Sequence, residues 1–288
     1  TGKPVIAVAS APDGANPVLT GAERKGWGVA FCHRAGAGFD IYFLSNQEFF
    51  PVSAEISFRT AGRVPEFWDA DKAAIEEAPN WRVEAGRTVV PIDFDPSGSV
   101  FVVFRRAGQP PAAPRKTAEP ATLLTLDGLW DVTFPLLRGN PINVKLAAGS
   151  WAERSEEEIK YFSGTATYRR QFSLDARQKA AGRLYLDLGE VHNLARVRLN
   201  GKDLGVAWKA PYVIEITQAV TTGANRLEID ITNTWVNRLI GDASKPDEQR
   251  VTSRAAAGGG FGRAGITATT PLLPAGLVGP VKIVAKSA

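Results

Sequence analysis

Alternation of apolar and polar residues with a period of two runs through this chain, and helical periodicity is scarce. The stretches GWGVAFCHR, FDIYFLSN, VSAEISFRT, RTVVPIDFD and SVFVVFRR are rich in Val, Ile and Phe. Gly, Pro, Asn and Asp bound them, so each is read as a strand. The segment RAGAG suits a turn between the first two, and DPSG joins the last two with Pro at a turn position. Strands at this short, regular spacing predict an all-β sandwich.

The pattern breaks at Arg105 to Thr122, where RRAGQPPAAPRKTAEPAT carries four prolines among Ala, Lys and Glu. Such composition makes a semi-rigid, extended linker. The expected organisation is therefore a β-sandwich over residues 1–107, a Pro-rich linker over 108–122 and a second all-β domain over 123–288. In that second half GLWDVTF, GTATYRRQFSL, GRLYLDLG, NLARVRLNG, KDLGVAW, YVIEIT, NRLEIDITNT and GPVKIVAK read as strands. Asn200-Gly201 suits a type I′ hairpin turn, because both residues accept positive φ. The acidic segment SWAERSEEEIKYF reads as no more than a helical turn or a short surface helix.

Several function classes are excluded at this stage. The formal charge is +4 over 288 residues, with Lys and Arg scattered among acids. No nucleic-acid footprint is indicated. Apolar runs are short and strand-like, so no membrane-spanning helix is expected. The single cysteine, Cys32, rules out an internal disulfide. The absence of methionine and a first residue of Thr predict a mature form, a proteolytic piece or a deliberate cut, with any signal peptide already gone.

Candidate chemistry is sparse. The two histidines, His33 and His192, limit metal sites and triads. Cys32 and His33 are neighbours on a strand and point to opposite faces, so they form no nucleophile–base pair. One core thiol and one surface or interface imidazole is the expected reading. The GxGxxG at Gly260, Gly262 and Gly265 lacks the strand before it and the helix after it that a dinucleotide site needs, and reads as a flexible loop. Glu66 with Asp69 and Asp71, Glu156 to Glu158, and Asp187 with Glu190 are numerically available as acid/base pairs. None sits in a recognisable motif, and no internal catalytic pair is predicted. Aromatic residues offer a third chemistry, since a sugar's CH-rich face stacks on an exposed ring while polar side chains reach its hydroxyls. Trp208 and Tyr212 in AWKAPY, and Trp235 with Asn233, Asn237, Arg238 and Asp242 in TNTWVNRLIGD, are the candidates. Core packing, or an Arg–Asp pair tying down a strand end, would leave the same residues in place.

The segments GTATYRRQFSL, LYLDLGEVHNLARVRLNGKDLGVAWKAPYVIEIT, NRLEIDITNTWVNRLIGD and LLPAGLVGPVKI resemble the galactose-binding-like jelly roll of family 2-type glycoside hydrolases. More closely, they are similar to the C-terminal end of the α-L-rhamnosidases of glycoside hydrolase family 106. CHRAGAGFDIYFLSNQ, GRVPEFWDAD and GSVFVVFRR are similar to the sandwich that precedes the jelly roll in those enzymes. The resemblance runs from about Gly26 to Ala285. It implies two β-sandwiches, the second a galactose-binding-like jelly roll, in an exported bacterial enzyme found in the periplasm or secreted. It also implies that the catalytic carboxylates of an inverting mechanism and a calcium-dependent sugar site lie in an N-terminal barrel that this sequence does not match. No cofactor is expected in this chain. Its expected partners are that barrel and a rhamnose-containing glycan. By analogy, the NTWVNRLIGD loop and the CHR segment become interface or substrate-rim elements, with Trp235, Asn237, Arg238, Asp242, Trp208, His33 and Arg34 as the sugar-facing candidates. The hairpin around Asn200-Gly201 reads mostly as scaffold, with Trp208 and Tyr212 packing rather than binding.

Overall fold

A computed structural model describes residues 6–8, 28–71, 73–113, 119–252 and 265–286. The chain divides into two compact units, residues 1–117 and 118–288. Part of the expected linker, 114–118, lies outside the described residues, as does most of the glycine-rich loop around Gly260 and Gly262.

Unit 1 contains β1 (Ile6–Val8), β2 (Val29–Gly36), β3 (Phe39–Asn46), β4 (Val52–Phe58), β5 (Arg63–Asp69), β6 (Ala74–Glu77), β7 (Arg82–Glu84), β8 (Arg87–Phe94) and β9 (Ser99–Ala107). They form two antiparallel sheets, β1-β4-β8-β7 and β2-β3-β9-β5-β6. The alternation seen in sequence sets which faces meet. Ala54, Ile56, Phe58, Val90 and Ile92 from one sheet and Tyr42, Leu44, Val102 and Phe104 from the other are all buried in a single core. β5 escapes strand recognition because Pro65 sits within it. The register shifts between Val64 and Pro65, so the proline occupies a bulge where its missing N–H costs no ladder bond.

Unit 2 contains β10 (Ala121–Thr125), β11 (Leu129–Phe134), β12 (Ile142–Ala147), α1 (Glu157–Lys160), β13 (Thr165–Leu174), α2 (Ala176–Lys179), β14 (Arg183–Asp187), β15 (Glu190–His192), β16 (Leu194–Leu199), β17 (Lys202–Ala207), β18 (Val213–Glu215), β19 (Gly223–Thr232), α3 (Val236–Ala243), β20 (Gly276–Gly279) and β21 (Lys282–Lys286). A six-stranded sheet, β12-β11-β13-β19-β16-β17, a four-stranded sheet, β10-β21-β14-β18, and the pair β15-β20 make up its β-structure. Their inner residues, including Trp130, Tyr168, Val197, Ile229, Leu186 and Ile283, belong to one core. β10 starts inside the stretch expected to be linker, at Ala121, because the alternating residues Leu124 and Leu126 already pack on that core. The Asn200-Gly201 hairpin is as expected: φ is 54° and 83°, and β16 and β17 close directly on it.

The outer face of the six-stranded sheet carries a row of alternating charge that is invisible in linear order. Lys145, Asp131, Arg169, Glu228, Arg198 and Asp203 lie opposite one another, one per strand. Several of these neighbours are ion-paired, with Arg169 Nε donating to Glu228 at 2.6 Å and Arg198 Nε donating to the same carboxylate at 2.6 Å. Burial alone would raise the Glu228 carboxyl, but the two guanidinium groups outweigh it and hold the group below its ordinary range. Cross-strand pairs of this kind fix register as well as solvate the face.

Candidate functional site

The segment expected to be a loop, NTWVNRLIGD, is instead mostly helix. α3 forms because Val236, Leu239 and Ile240 fall at helical spacing, with Ile240 buried on unit 2. Its close approach depends on Gly241, where an added Cβ would lie 2.5 Å from the Tyr161 ring. The acidic segment expected to lie on the surface is also anchored, since Trp151, Ile159 and Phe162 from it are in the core.

The helix separates the predicted residues into two kinds. Asn237 is buried and clamps the chain at Leu273: its Nδ2 donates to the Leu273 carbonyl at 2.7 Å and its Oδ1 accepts from the Leu273 amide at 2.9 Å. Asp242 is buried as well. Its Oδ2 accepts from the amides of Val251 and Thr252 at 2.9 and 2.7 Å, and from the Thr252 hydroxyl at 2.9 Å. Burial alone would raise the Asp242 carboxyl, yet these bonds and the nearby Arg238 charge keep it below its ordinary value. Asn233 likewise holds backbone, donating to Phe162 O and accepting from the Gly164 amide. These three side chains are committed to backbone and place the helix, with only Asp242 Oδ1 left without a hydrogen-bond partner, and that atom is buried.

Trp235 is of the other kind: it precedes the helix and is 51% exposed. Trp208 is 57% exposed, which corrects the expectation that it packs. Tyr212 does pack, partly against the core, with its hydroxyl donating to Asn193 O at 2.9 Å. The strand register explains why the rings share one end of the sheet. Trp208 follows Ala207, which pairs Ala195; Leu194 pairs Thr232, and Trp235 lies three residues beyond it. Leu194 and Val206 are also exposed there, so the register sets Trp208 beside two exposed aliphatic side chains, an apolar corner, with Trp235 following the neighbouring strand. Sequence reading missed Leu194 and Val206. Their signal was apolar residues at outward-facing positions of strands whose other outward positions are charged.

His33 and Arg34 belong to unit 1. His33 Nε2 and Asp40 Oδ1 are 2.9 Å apart, and the ring stacks on Tyr42 at 4.1 Å with an 8° tilt. Arg34 Nη1 donates to His33 O at 2.9 Å and lies 3.2 Å from Cys32 Sγ. Cys32 is exposed on the edge strand β2, which corrects the expected core thiol. Glu66 is buried, with its carboxylate held by Trp68 Nε1 at 3.1 Å, Arg105 Nε at 2.8 Å and Arg106 Nε at 2.6 Å. Such an acid is committed to structure. Among the described residues no group of three or more His, Cys, Asp or Glu is arranged to hold a metal ion.

Two family models match the chain: alpha-L-rhamnosidase over residues 6–82, and glycosyl hydrolase 2 galactose-binding domain-like over residues 142–262. A rhamnosidase from Novosphingobium sp. PP1Y superposes over 99% of the chain, with a TM-score of 0.79 and 36% identity. A protein of Formosa agariphila, provisionally named a β-glucuronidase, is 45% identical over 126 residues, 43% of this chain. A Bifidobacterium dentium β-glucuronidase matches 61% of this chain and 31% of its own length at 22% identity and a TM-score of 0.43. The chain spans 25% of the Novosphingobium rhamnosidase and 11% of the Formosa protein. Its two β-sandwich units thus resemble parts of glycoside hydrolases. Among these enzymes the chain is related to the α-L-rhamnosidases of family 106, its second unit carrying the galactose-binding-like domain.

Proposed function

We propose that the chain is a non-catalytic, accessory pair of β-sandwiches of an α-L-rhamnosidase, and that unit 2 contacts carbohydrate through the apolar corner of Trp208 and through Trp235. The observation that carries this reading is the superposition on one quarter of a solved rhamnosidase by nearly the whole of this chain. The side chains support it. The shielded carboxylates Glu66 and Asp242 are tied up by arginine, indole or backbone donors, whereas the two indoles are about half exposed, with the Lys209 ammonium over the Trp208 ring. A partner barrel has a surface to rest on. Across the outer face of the five-stranded sheet of unit 1, Phe43, Phe101, Trp68 and Ile75 lie opposite one another on four adjacent strands. An apolar row of this extent marks interaction surfaces in soluble proteins.

The carbohydrate contact is tested by tryptophan fluorescence. Millimolar rhamnose-containing oligosaccharide is expected to quench the emission of the wild-type chain, and the double substitution Trp208→Ala, Trp235→Ala should abolish the response. Both rings are exposed, so their loss should change stability by no more than about 0.5 kcal/mol. An unchanged emission spectrum at saturating glycan would contradict the contact.

A further inference from the structure

Beside α3 the surface opens into a cavity of about 100 Å³, walled by Leu136, Leu137 and Phe162 and bearing Arg138, Glu158 and Arg238. Arg238 is its unusual member. Its side chain is only 12% exposed, and the carboxylate paired with it, Asp242, is 3.7 Å away, beyond hydrogen-bond reach. Among the described residues no hydrogen bond engages its guanidinium, and Asp242 Oδ1 is buried without a partner. Asp242 gives its other oxygen to three donors from Val251 and Thr252, which already offset much of its charge. The Arg238 nitrogens therefore keep some solvent contact and are open to a ligand. The cavity they border combines the apolar Leu136, Leu137, Phe162 and Val251 with the polar Ser163, Arg138 and Glu158. Arg138 adds a second guanidinium at the rim, with Nη1 only weakly engaged to Glu248 O at 3.5 Å.

A planar fork of N–H donors fits one chemical group best, the two coplanar oxygens of a carboxylate. We infer that this cavity takes the carboxylate end of a uronate, with the carboxylate on Arg238 and the adjoining CH groups against Leu136, Leu137 and Phe162, the rest of the sugar lying outside it. The carboxylate follows from Arg238. That the body is a sugar rests on the carbohydrate contact proposed above. Glu158, exposed at the rim, opposes the anion through solvent-screened repulsion and sets a ceiling on affinity.

The test is a titration of the full chain with D-glucuronate and with D-glucose, followed by the side-chain Nε–H signal of Arg238 in proton–nitrogen spectra. Glucuronate is expected to shift that signal saturably in the millimolar range, with at least about ten-fold preference over glucose, the worth of one charge-assisted pair. Leu137→Trp narrows the mouth without touching the Arg238–Asp242 pair, and should weaken glucuronate by about ten-fold; this variant stands even if Arg238→Gln fails to fold. Glu158→Gln should tighten it by about two-fold. Equal response to both sugars, or an unaltered titration in Leu137→Trp, would overturn the inference. A chain whose indoles ignore rhamnose oligosaccharide while Arg238 responds to glucuronate keeps this site and loses the indole contact; the opposite pattern does the reverse.

Discussion

Replacing Trp151 by Ala is expected to cost unit 2 about 4 kcal/mol, the larger part of a typical domain's stability. Trp151 is fully buried, and Phe134 and Phe162 meet it edge-on with ring centroids 5.2 and 5.5 Å away. Its Nε1 donates to the Tyr168 hydroxyl at 2.6 Å. Burial pushes that hydroxyl up to about 12, and removing the indole leaves this buried neutral phenol with only its backbone bond at Leu277, as well as leaving a cavity. The backbone has been shaped around the ring. At Gly276 φ is 105°, and an added Cβ would lie 2.5 Å from Trp151 Nε1. Urea denaturation should show a lowered midpoint, and amide exchange should accelerate in β13 and β19 while β4 and β8 keep their protection. A loss below about 1 kcal/mol would mean that the ring is not the keystone of that core.

The second large effect belongs to Glu66 in unit 1. Glu66→Gln is expected to cost about 2 kcal/mol at neutral pH, since it removes a buried charge from three donors. The figure sits below that of a fully buried pair because Arg105 and Arg106 are about half exposed and regain water when released. Burial alone would raise the Glu66 carboxyl, but the bonds from Trp68, Arg105 and Arg106 hold it below its ordinary value. A group whose native pKa is depressed adds stability above its unfolded value, near about 4.3, and loses it as pH falls through the native value. The gap between wild type and Glu66→Gln should therefore be full at pH 7 and close under acid conditions. A gap that stays constant down to acid pH would show that the carboxylate's charge is irrelevant there.

The all-β class and most strands were legible because burial and period-two alternation coincide, as in β4, where Val52, Ala54, Ile56 and Phe58 are buried and Ser53, Glu55 and Ser57 are not. Turn chemistry was equally readable where one conformation is demanded, as at Asn200-Gly201. What escaped was set by distance in sequence. β5 hides behind a proline that a bulge tolerates, and β10 looks like linker until its leucines find the core. In the candidate site, polar density around Trp235 was visible but its meaning was not. Asn237 and Asp242 carry the residue types of a sugar site, yet they bond to Leu273, Val251 and Thr252, contacts that only folding creates. Arg238 has the same composition-level signature and is left with free donors. The exposure of Trp208 follows from its place one residue past the last ladder pair of β17, which a one-residue shift would reverse.

The most direct measurement of the central proposal is turnover of p-nitrophenyl α-L-rhamnopyranoside by this chain alone, at micromolar concentration with calcium present. No release of nitrophenol above the buffer rate is expected, because the shielded acids Glu66 and Asp242 serve the fold. Steady turnover that survives purification and is lost on substituting Glu66, Asp69 or Glu156 to Glu158 would contradict that account and place a catalytic site within these two sandwiches.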